Sequence, residues 1–309
     1  MKKKIGGLNL KKIRPVVRRA LEEDVGKGDI TTLLTVPKEK NAKGIIRAKE
    51  KGVIAGLPVA ELAFQQVAGR PPRMGETSPS AGGSRVVFKA RVKEGEKVKK
   101  GQAIAEVIGD ARSILTAERT ALNFLQKLSG IATLTNRFVE KVRPYKVKIF
   151  DTRKTTPGLR YLEKYAVRCG GGYNHRIGLY DQVLIKDNHF RLQASGFRLQ
   201  DLVKKIRKRI SRGMKIEVEA KNLREVREAL KAVVDIIMLD NMNLKSIRKA
   251  IELCHRSPVT GYRSPIIEAS GGITLENVGK IAKTGVNRIS IGALTHSAKA
   301  LDISLDIVT

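Results

Sequence analysis

The sequence predicts an α/β protein in two parts, a sheet-and-helix region to about residue 115 followed by an open α/β barrel of six or seven strands. Three observations point there. After Thr116, short apolar runs alternate with helical stretches, the pattern of βαβ units and a parallel sheet. Before it, β-like runs are broken by Gly and Pro and read as antiparallel sheet. Hydrophobic residues make up 41% of the 309 and recur throughout, enough to bury one large core or two modest ones. A doubly wound sheet is the rival arrangement for the second part.

The first part opens with a helix around Lys11–Leu21 and carries a second at Leu57–Val67. Strands are expected at Gly44–Ala48, Val86–Ala90 and Ala103–Val107. Gly69–Ser84 has loop chemistry, rich in Pro, Gly and Ser. Lys93–Gln102 resembles the turn-rich half of biotinyl and lipoyl domains but lacks a modifiable lysine on a tight hairpin, so it reads as ordinary sheet. In the second part, Ala121, Leu122, Leu125 and Leu128 fall on one helical stripe. Strands come next at Val147–Phe150, Gln182–Ile185, Lys215–Val218, Asp235–Leu239, Pro265–Ala269 and Asn287–Ile291, with an amphipathic stretch at Leu223–Leu230.

Composition removes several classes of function. No apolar run approaches the roughly 20 residues needed to cross a bilayer, and the basic start at Met1–Ile5 lacks the apolar segment of a signal peptide. Cys169 and Cys254 stand far apart, which fits neither a disulfide framework nor a Cys-rich zinc site. The expectation is a soluble, reduced, cytoplasmic protein. The 61 Lys and Arg exceed the 30 Asp and Glu by 31, which invites a nucleic-acid reading. Basic residues are spread along the whole length, however, and aromatics are scarce with no Trp, so stacking platforms are missing. The milder reading is a positive field that draws in small polyanionic substrates.

The residues just past each barrel strand are the most informative. Asp151-Thr152-Arg153-Lys154 comes after the first strand, Lys186-Asp187-Asn188-His189 after the second, and Glu219 after the third. Asp240-Asn241, Ser270-Gly271-Gly272 and Gly292 succeed the remaining three. In α/β barrels the carboxyl ends of the strands meet at one mouth, where chemistry is done. Arg153, Lys154, Arg176 and Lys186, with His175 nearby, form a cationic set suited to carboxylates and phosphates. Glu219 and Asp240 are an acidic pair able to hold Mg²⁺ or ribose hydroxyls, or to act as acid and base. The two Gly-rich turns at Ser270 and Gly292 suit a phosphate at helix N-termini. Cys169 beside His175 is a conceivable nucleophile pair, but a structural cysteine is the simpler reading. The four histidines lack zinc spacing.

The runs AERTALNFLQKLSGIAT, DTRKTTPGLRYLEKYAVRCGGGYNHRIGLYDQVLIKDNH, IEVEAKN, MLDNM and EASGGI, with Gly28-Asp29-Ile30-Thr31-Thr32, resemble nicotinate-nucleotide pyrophosphorylases (carboxylating), the quinolinate phosphoribosyltransferases. The resemblance spans almost the whole chain; the Gly69–Ser84 loop and the Arg256–Ser264 stretch lie outside it. It implies an N-terminal α/β sandwich over 1–116, with 293–309 returning to it, and an incomplete seven-stranded α/β barrel over 117–292. It implies a head-to-tail homodimer, or a larger assembly such as a hexamer. Arg119 from the partner would join Arg153, His175, Arg176 and Lys186 in gripping the two quinolinate carboxylates. Lys154 would lie between the substrates. Glu219 and Asp240 would hold ribose hydroxyls or hydrated Mg²⁺, and would act with Lys154 in catalysis. Ser270, Gly271, Gly272 and Gly292, with Thr152 and His296, would surround the phosphoribosyl diphosphate, which Lys186 also touches.

The reaction so implied is a pentosyl transfer in NAD biosynthesis. It joins quinolinate to 5-phosphoribosyl 1-diphosphate and releases diphosphate and CO₂. Positioning and charge neutralisation suffice for it, which agrees with many cations and no obvious covalent nucleophile. The rivals are a related phosphoribosyltransferase acting on a monoacid without decarboxylation and, from another class, a nucleic-acid-binding protein. Neither a nucleic acid nor a membrane is expected as partner.

Overall fold

The computed structural model describes residues 7–68, 86–193, 196, 198–256 and 264–308. The Gly69–Ser84 loop and almost all of Arg256–Ser264 therefore lie outside the described residues. The chain forms two compact units, one of Met1–Asn136, Thr156–Gly171 and Ser297–Thr309, the other of Arg137–Thr155 and Gly172–His296.

In the first unit, α1 (Leu10–Val25) starts where the Asn9 side chain accepts from the amides of Lys11 and Lys12, and it buries Ile13, Val17 and Leu21, four residues apart on one stripe. The Asp29 carboxylate accepts from the Thr32 amide at 3.0 Å and so caps α2 (Ile30–Thr35). Strands β1 (Asn41–Ala48), β3 (Val87–Ala90), β5 (Ala103–Asp110) and β12 (Ile303–Val308) make a four-stranded antiparallel sheet in the order β12-β1-β5-β3. A two-stranded ribbon, β2 (Gly52–Val53) with β4 (Lys97–Val98), lies in the same unit. Below α3 (Leu57–Ala68), Glu94 accepts from the amides of Gly56 at 3.0 Å and Leu57 at 2.7 Å, closing off the helix start. The Cys169 thiol, at the end of α5 (Arg160–Cys169), donates to the same carboxylate.

The long helix α4 (Ala111–Val142) buries the expected stripe: Ala121, Leu122, Leu125 and Leu128 are at most 2% exposed. Ser129 Oγ accepts from the Ala55 amide at 3.0 Å, and Gln126 donates to the Ile303 carbonyl at 2.7 Å. These bonds tie α4 to the first unit; the compact units part after Asn136, and α5 and the stretch from Ser297 belong to the first.

The second unit holds β6 (Lys148–Phe150), β7 (Val183–Ile185), β8 (Ile216–Ala220), β9 (Ile236–Asp240), β10 (Ile266–Ser270) and β11 (Arg288–Ser290). All six pair in parallel, in the order β6-β11-β10-β9-β8-β7. A seventh member is reduced to one residue: Tyr173 bridges Phe150 in parallel on the free side of β6. Between strands run α6 (Asp187–Arg191), α7 (Leu199–Arg207), α8 (Leu223–Lys231), α9 (Leu244–Arg256), α10 (Val278–Ala282) and α11 (Ala293–His296). This is the incomplete α/β barrel, and parallel pairing brings all its strand ends to one side.

Candidate active site at the strand ends of the second unit

Strand register decides which side chains share a face. Glu219 aligns with Met238, Met238 with Glu268, and Glu268 with Arg288; one step on, Asp240 aligns with Ser270, Ser270 with Ser290, and Ser290 with Phe150. Because side chains alternate along a strand, Glu217, Glu219, Asp240, Glu268, Ser270, Arg288 and Ser290 all point to one face of the sheet. By their partners they divide into an outer row, Glu219, Asp240 and Ser270, and a buried inner row, Glu217, Glu268 and Arg288.

In the outer row, Lys186 Nζ lies 2.5 Å from Glu219 Oε2. Lys221 pairs with Asp187 at 2.6 Å, and its pKa is raised first by that hydrogen bond and also by the charges of Glu219 and Asp240, so both carboxylates stand close to one ammonium. Beyond Ser270, Gly271 and Gly272 have φ of 89° and 59°, and a Cβ on Gly271 would come 2.2 Å from the Asn241 side-chain oxygen. Only glycine fits the Gly271 position of that turn. At the next strand end, a Cβ on Gly292 would come 2.9 Å from Lys154 Cδ and 3.2 Å from His296 Nε2. Lys154, Gly292 and His296 therefore converge. The Thr295 hydroxyl donates to the Lys154 carbonyl at 2.7 Å, and the Lys154 amide to Thr152 Oγ1 at 3.1 Å, which fixes the 152–154 loop.

The cationic side is built on a buried acid. Asp151, fully buried, accepts from the His175 amide at 2.8 Å and from the Asn174 side chain at 2.6 Å. The turn after Tyr173 is thus anchored to the end of β6. Asp181 accepts from the amides of Ile177 and Gly178, holding the far side of the same loop. Between them Arg176 donates through Nη1 to the Gln182 carbonyl at 3.0 Å. Its pKa is lowered, first by burial and then by the charge of Arg153.

His175 is nearly buried rather than turned outward. Its Nδ1 accepts from the Arg176 amide at 2.8 Å, while Nε2 lies 3.1 Å from Glu217 and 3.5 Å from Glu268. Burial disfavours a charged ring, but the two glutamates outweigh it and raise the pKa to about 9. The Arg176 amide thus faces Nδ1 and the two acids face Nε2. Arg288 contacts both Glu217, at 3.4 Å, and Glu268, and its guanidinium stacks 5.0 Å from the Phe150 ring centroid. Glu217 and Glu268 are fully buried, and the Glu268 pKa is held below its usual value by His175 and Arg288 against the cost of burial.

His175, Glu217 and Glu268 also have their ligand atoms within 4.8 Å of one another, close enough for a metal ion. Arg288 already lies against both carboxylates, so the cation there is a guanidinium. Elsewhere, burial and the neighbouring Glu94 push the Cys169 thiol pKa well above its usual range, which fits a structural cysteine.

A family model described as quinolinate phosphoribosyl transferase, N-terminal domain, matches residues 29–129, and the corresponding C-terminal domain matches residues 131–306. The chain belongs to the quinolinate phosphoribosyltransferase family. It is 42% identical over 295 residues to a probable nicotinate-nucleotide pyrophosphorylase [carboxylating] of Methanocaldococcus jannaschii, covering 95% of this chain and 96% of the relative. A Bacillus subtilis protein of the same name is 41% identical, covering 97% and 95%. Among solved structures, the nicotinate-nucleotide pyrophosphorylase from Francisella tularensis superposes with a TM-score of 0.85 at 36% identity and covers 100% of both chains.

Of the residues expected at the site, the second unit of this quinolinate phosphoribosyltransferase homologue carries Thr152, Arg153, Lys154, His175, Arg176, Lys186, Glu219, Asp240, Ser270, Gly271, Gly272, Gly292 and His296 at strand ends or in the adjoining turns. Arg119 is exposed on α4 in the first unit. Sequence reasoning passed over Asp151, Gln182, Glu217, Glu268 and Arg288. A charged residue inside an otherwise apolar parallel strand, as in Ile216-Glu217-Val218 or Ile267-Glu268-Ala269, was the available signal, because such a group must find a partner in the core.

Proposed function

We propose that the chain transfers the phosphoribosyl group of 5-phosphoribosyl 1-diphosphate to the ring nitrogen of quinolinate, with loss of diphosphate and CO₂, giving nicotinate mononucleotide. The observation that carries this reading is the cationic set at the strand ends, Arg153 and Arg176 each three residues past the bridged Phe150 and Tyr173 and Lys186 after β7, beside an acid-and-glycine rim. Cations gathered at one mouth are stabilised by paired anions, which quinolinate brings on neighbouring ring carbons. The family membership supports the same substrates.

In the mechanism, Arg153 and Arg176 hold the two carboxylates and turn the ring nitrogen towards the acidic rim. Gly271, Gly272 and Gly292 offer amides to the 5-phosphate, and Lys154, against Gly292, sits between the two substrates. As diphosphate leaves, positive charge builds on the ribose C1, and Glu219 and Asp240 offset it. Once the nitrogen is alkylated, its positive charge stabilises the electron pair left on the neighbouring ring carbon as CO₂ departs; that carbon then takes a proton from solvent, so no covalent nucleophile is needed. Glu219 and Asp240 are oxygen donors at an open rim, which suits Mg²⁺ better than a softer ion. Bound there, directly or through water, Mg²⁺ would neutralise the diphosphate leaving group.

The active form we propose is a head-to-tail homodimer in which Arg119 completes the partner's site. Exposed apolar side chains occur in both units, Ile30 and Leu34 in the first, Leu179 and Tyr180 in the second. Two different patches suit a pairing between unlike surfaces. Among the described residues no helix is long and apolar enough to cross a membrane; the cytoplasm is the compartment we propose, where Cys169 and Cys254 would stay reduced.

The test is CO₂ release from carboxyl-labelled quinolinate. It should require the phosphoribosyl donor and Mg²⁺, and nicotinate should not replace quinolinate. Turnover of nicotinate without CO₂ would overturn the reading in favour of a monoacid phosphoribosyltransferase.

A further inference from the structure

We infer that Glu217, buried one pleat below the proposed substrates, is the positioning residue for Arg176 and thereby sets selectivity for a dicarboxylate. The contacts form a closed ring. Arg176 donates its amide to His175 Nδ1, and His175 Nε2 faces Glu217; Arg176 Nη1 donates to the Gln182 carbonyl, and the Gln182 side-chain amide donates back to Glu217. One buried carboxylate thus restrains both the backbone and the guanidinium of the same arginine. Asp151 fixes the start of that loop from β6, so Glu217 fixes its orientation against β8.

The rest of the inner row sets cationic partners against that carboxylate and restrains it. Glu217 is fully buried, and a lone buried charge would be costly. Arg288 lies against it and against Glu268, and the Phe150 ring covers the guanidinium. Two acids share one arginine and one histidine, and His175 is the member that reaches the mouth. It transmits the inner row's position to Arg176 through the contact between its Nδ1 and the Arg176 amide.

This inference rests on the reading of Arg176 as a quinolinate contact, and its test separates the two. Turnover and calorimetric binding of quinolinate by the unaltered enzyme first establish the substrate. Glu217→Gln should then raise the quinolinate KM and Kd about tenfold or more, as expected for a displaced charge-assisted contact, with little change in the KM of the phosphoribosyl donor. In an Arg176→Ala background the same substitution should change the quinolinate KM less than about twofold, because coupled residues are non-additive. Equal losses for both substrates, or a full effect without Arg176, would overturn the inference. Gln182→Met, which removes one arm of the ring without touching the buried charge, gives the same reading if Glu217→Gln fails to fold. An unchanged quinolinate KM in a folded Gln182→Met enzyme would count against the ring.

Discussion

Burial and the charge of Arg153 both work against the charge on Arg176, and an anion bound beside it would offset them, as proposed for a quinolinate carboxylate. Removing either guanidinium should cost quinolinate affinity. Arg153→Ala and Arg176→Ala are each expected to raise its KM about 10- to 100-fold, the range for a lost charge-assisted bond, while the KM of the donor stays close to its original value; initial rates over a grid of both substrates will show it. At this scale the mouth was legible, because polar residues after apolar strands stand out in a sequence. The inner row was not. Its members sit inside strands, and their partners come from positions as distant as His175, Glu217 and Arg288, which only the parallel register brings together. His175 shows the difference best: its place near the cations was readable, its attachment to two buried acids was not.

At the scale of elements, short strands are held at their starts as well as their ends. Asp235, just before β9, accepts from the Ile216 amide at 2.8 Å and pairs with Arg207 and Lys215, joining α7 and β8 to the bottom of the sheet. Burial alone would raise its pKa, but these three partners more than offset that and lower it. A carboxylate with a lowered pKa stabilises the fold above its unfolded value and loses that contribution as pH falls through the folded one. Asp235→Asn should therefore lower stability by about 1–2 kcal/mol near neutral pH, and the gap from the original protein should close below about pH 4; melting curves across pH will check both. On the opposite rim, Gly292→Ala would drive Lys154 from its place. It should raise the donor KM about tenfold, by analogy with loss of one charged contact, with quinolinate binding by calorimetry nearly unchanged. Most elements were legible as apolar runs and helical stripes. The seventh strand was not, since one residue, Tyr173, carries no periodicity.

For the whole molecule, the placement of Arg119 in a different unit from the other cations has a consequence that mixing can reveal. If each site draws on two chains, Arg119→Ala and Arg176→Ala proteins should each be nearly inactive alone. Unfolded and refolded together they should recover about one quarter of full activity, because half the dimers are mixed and each mixed dimer holds one intact site. No recovery in mixed dimers identified by mass would exclude the shared site. The two-part architecture itself was legible from the change in rhythm near residue 116. The parting at Asn136 was not, because a helix of 32 residues shows the same stripe on both sides of the division.

The closing strand β12 has an implication for synthesis. It lies along β1, and next to it the Asp302 amide donates to Glu50, 252 residues earlier in the chain. On the ribosome, β1 therefore emerges long before its edge is covered, while every strand of the parallel sheet is made in between. The barrel can condense during translation; the N-terminal sheet waits, one flank bare, for β12 to arrive. Growing chains should accordingly be most prone to sticking together through that flank in the interval between the making of β1 and that of β12.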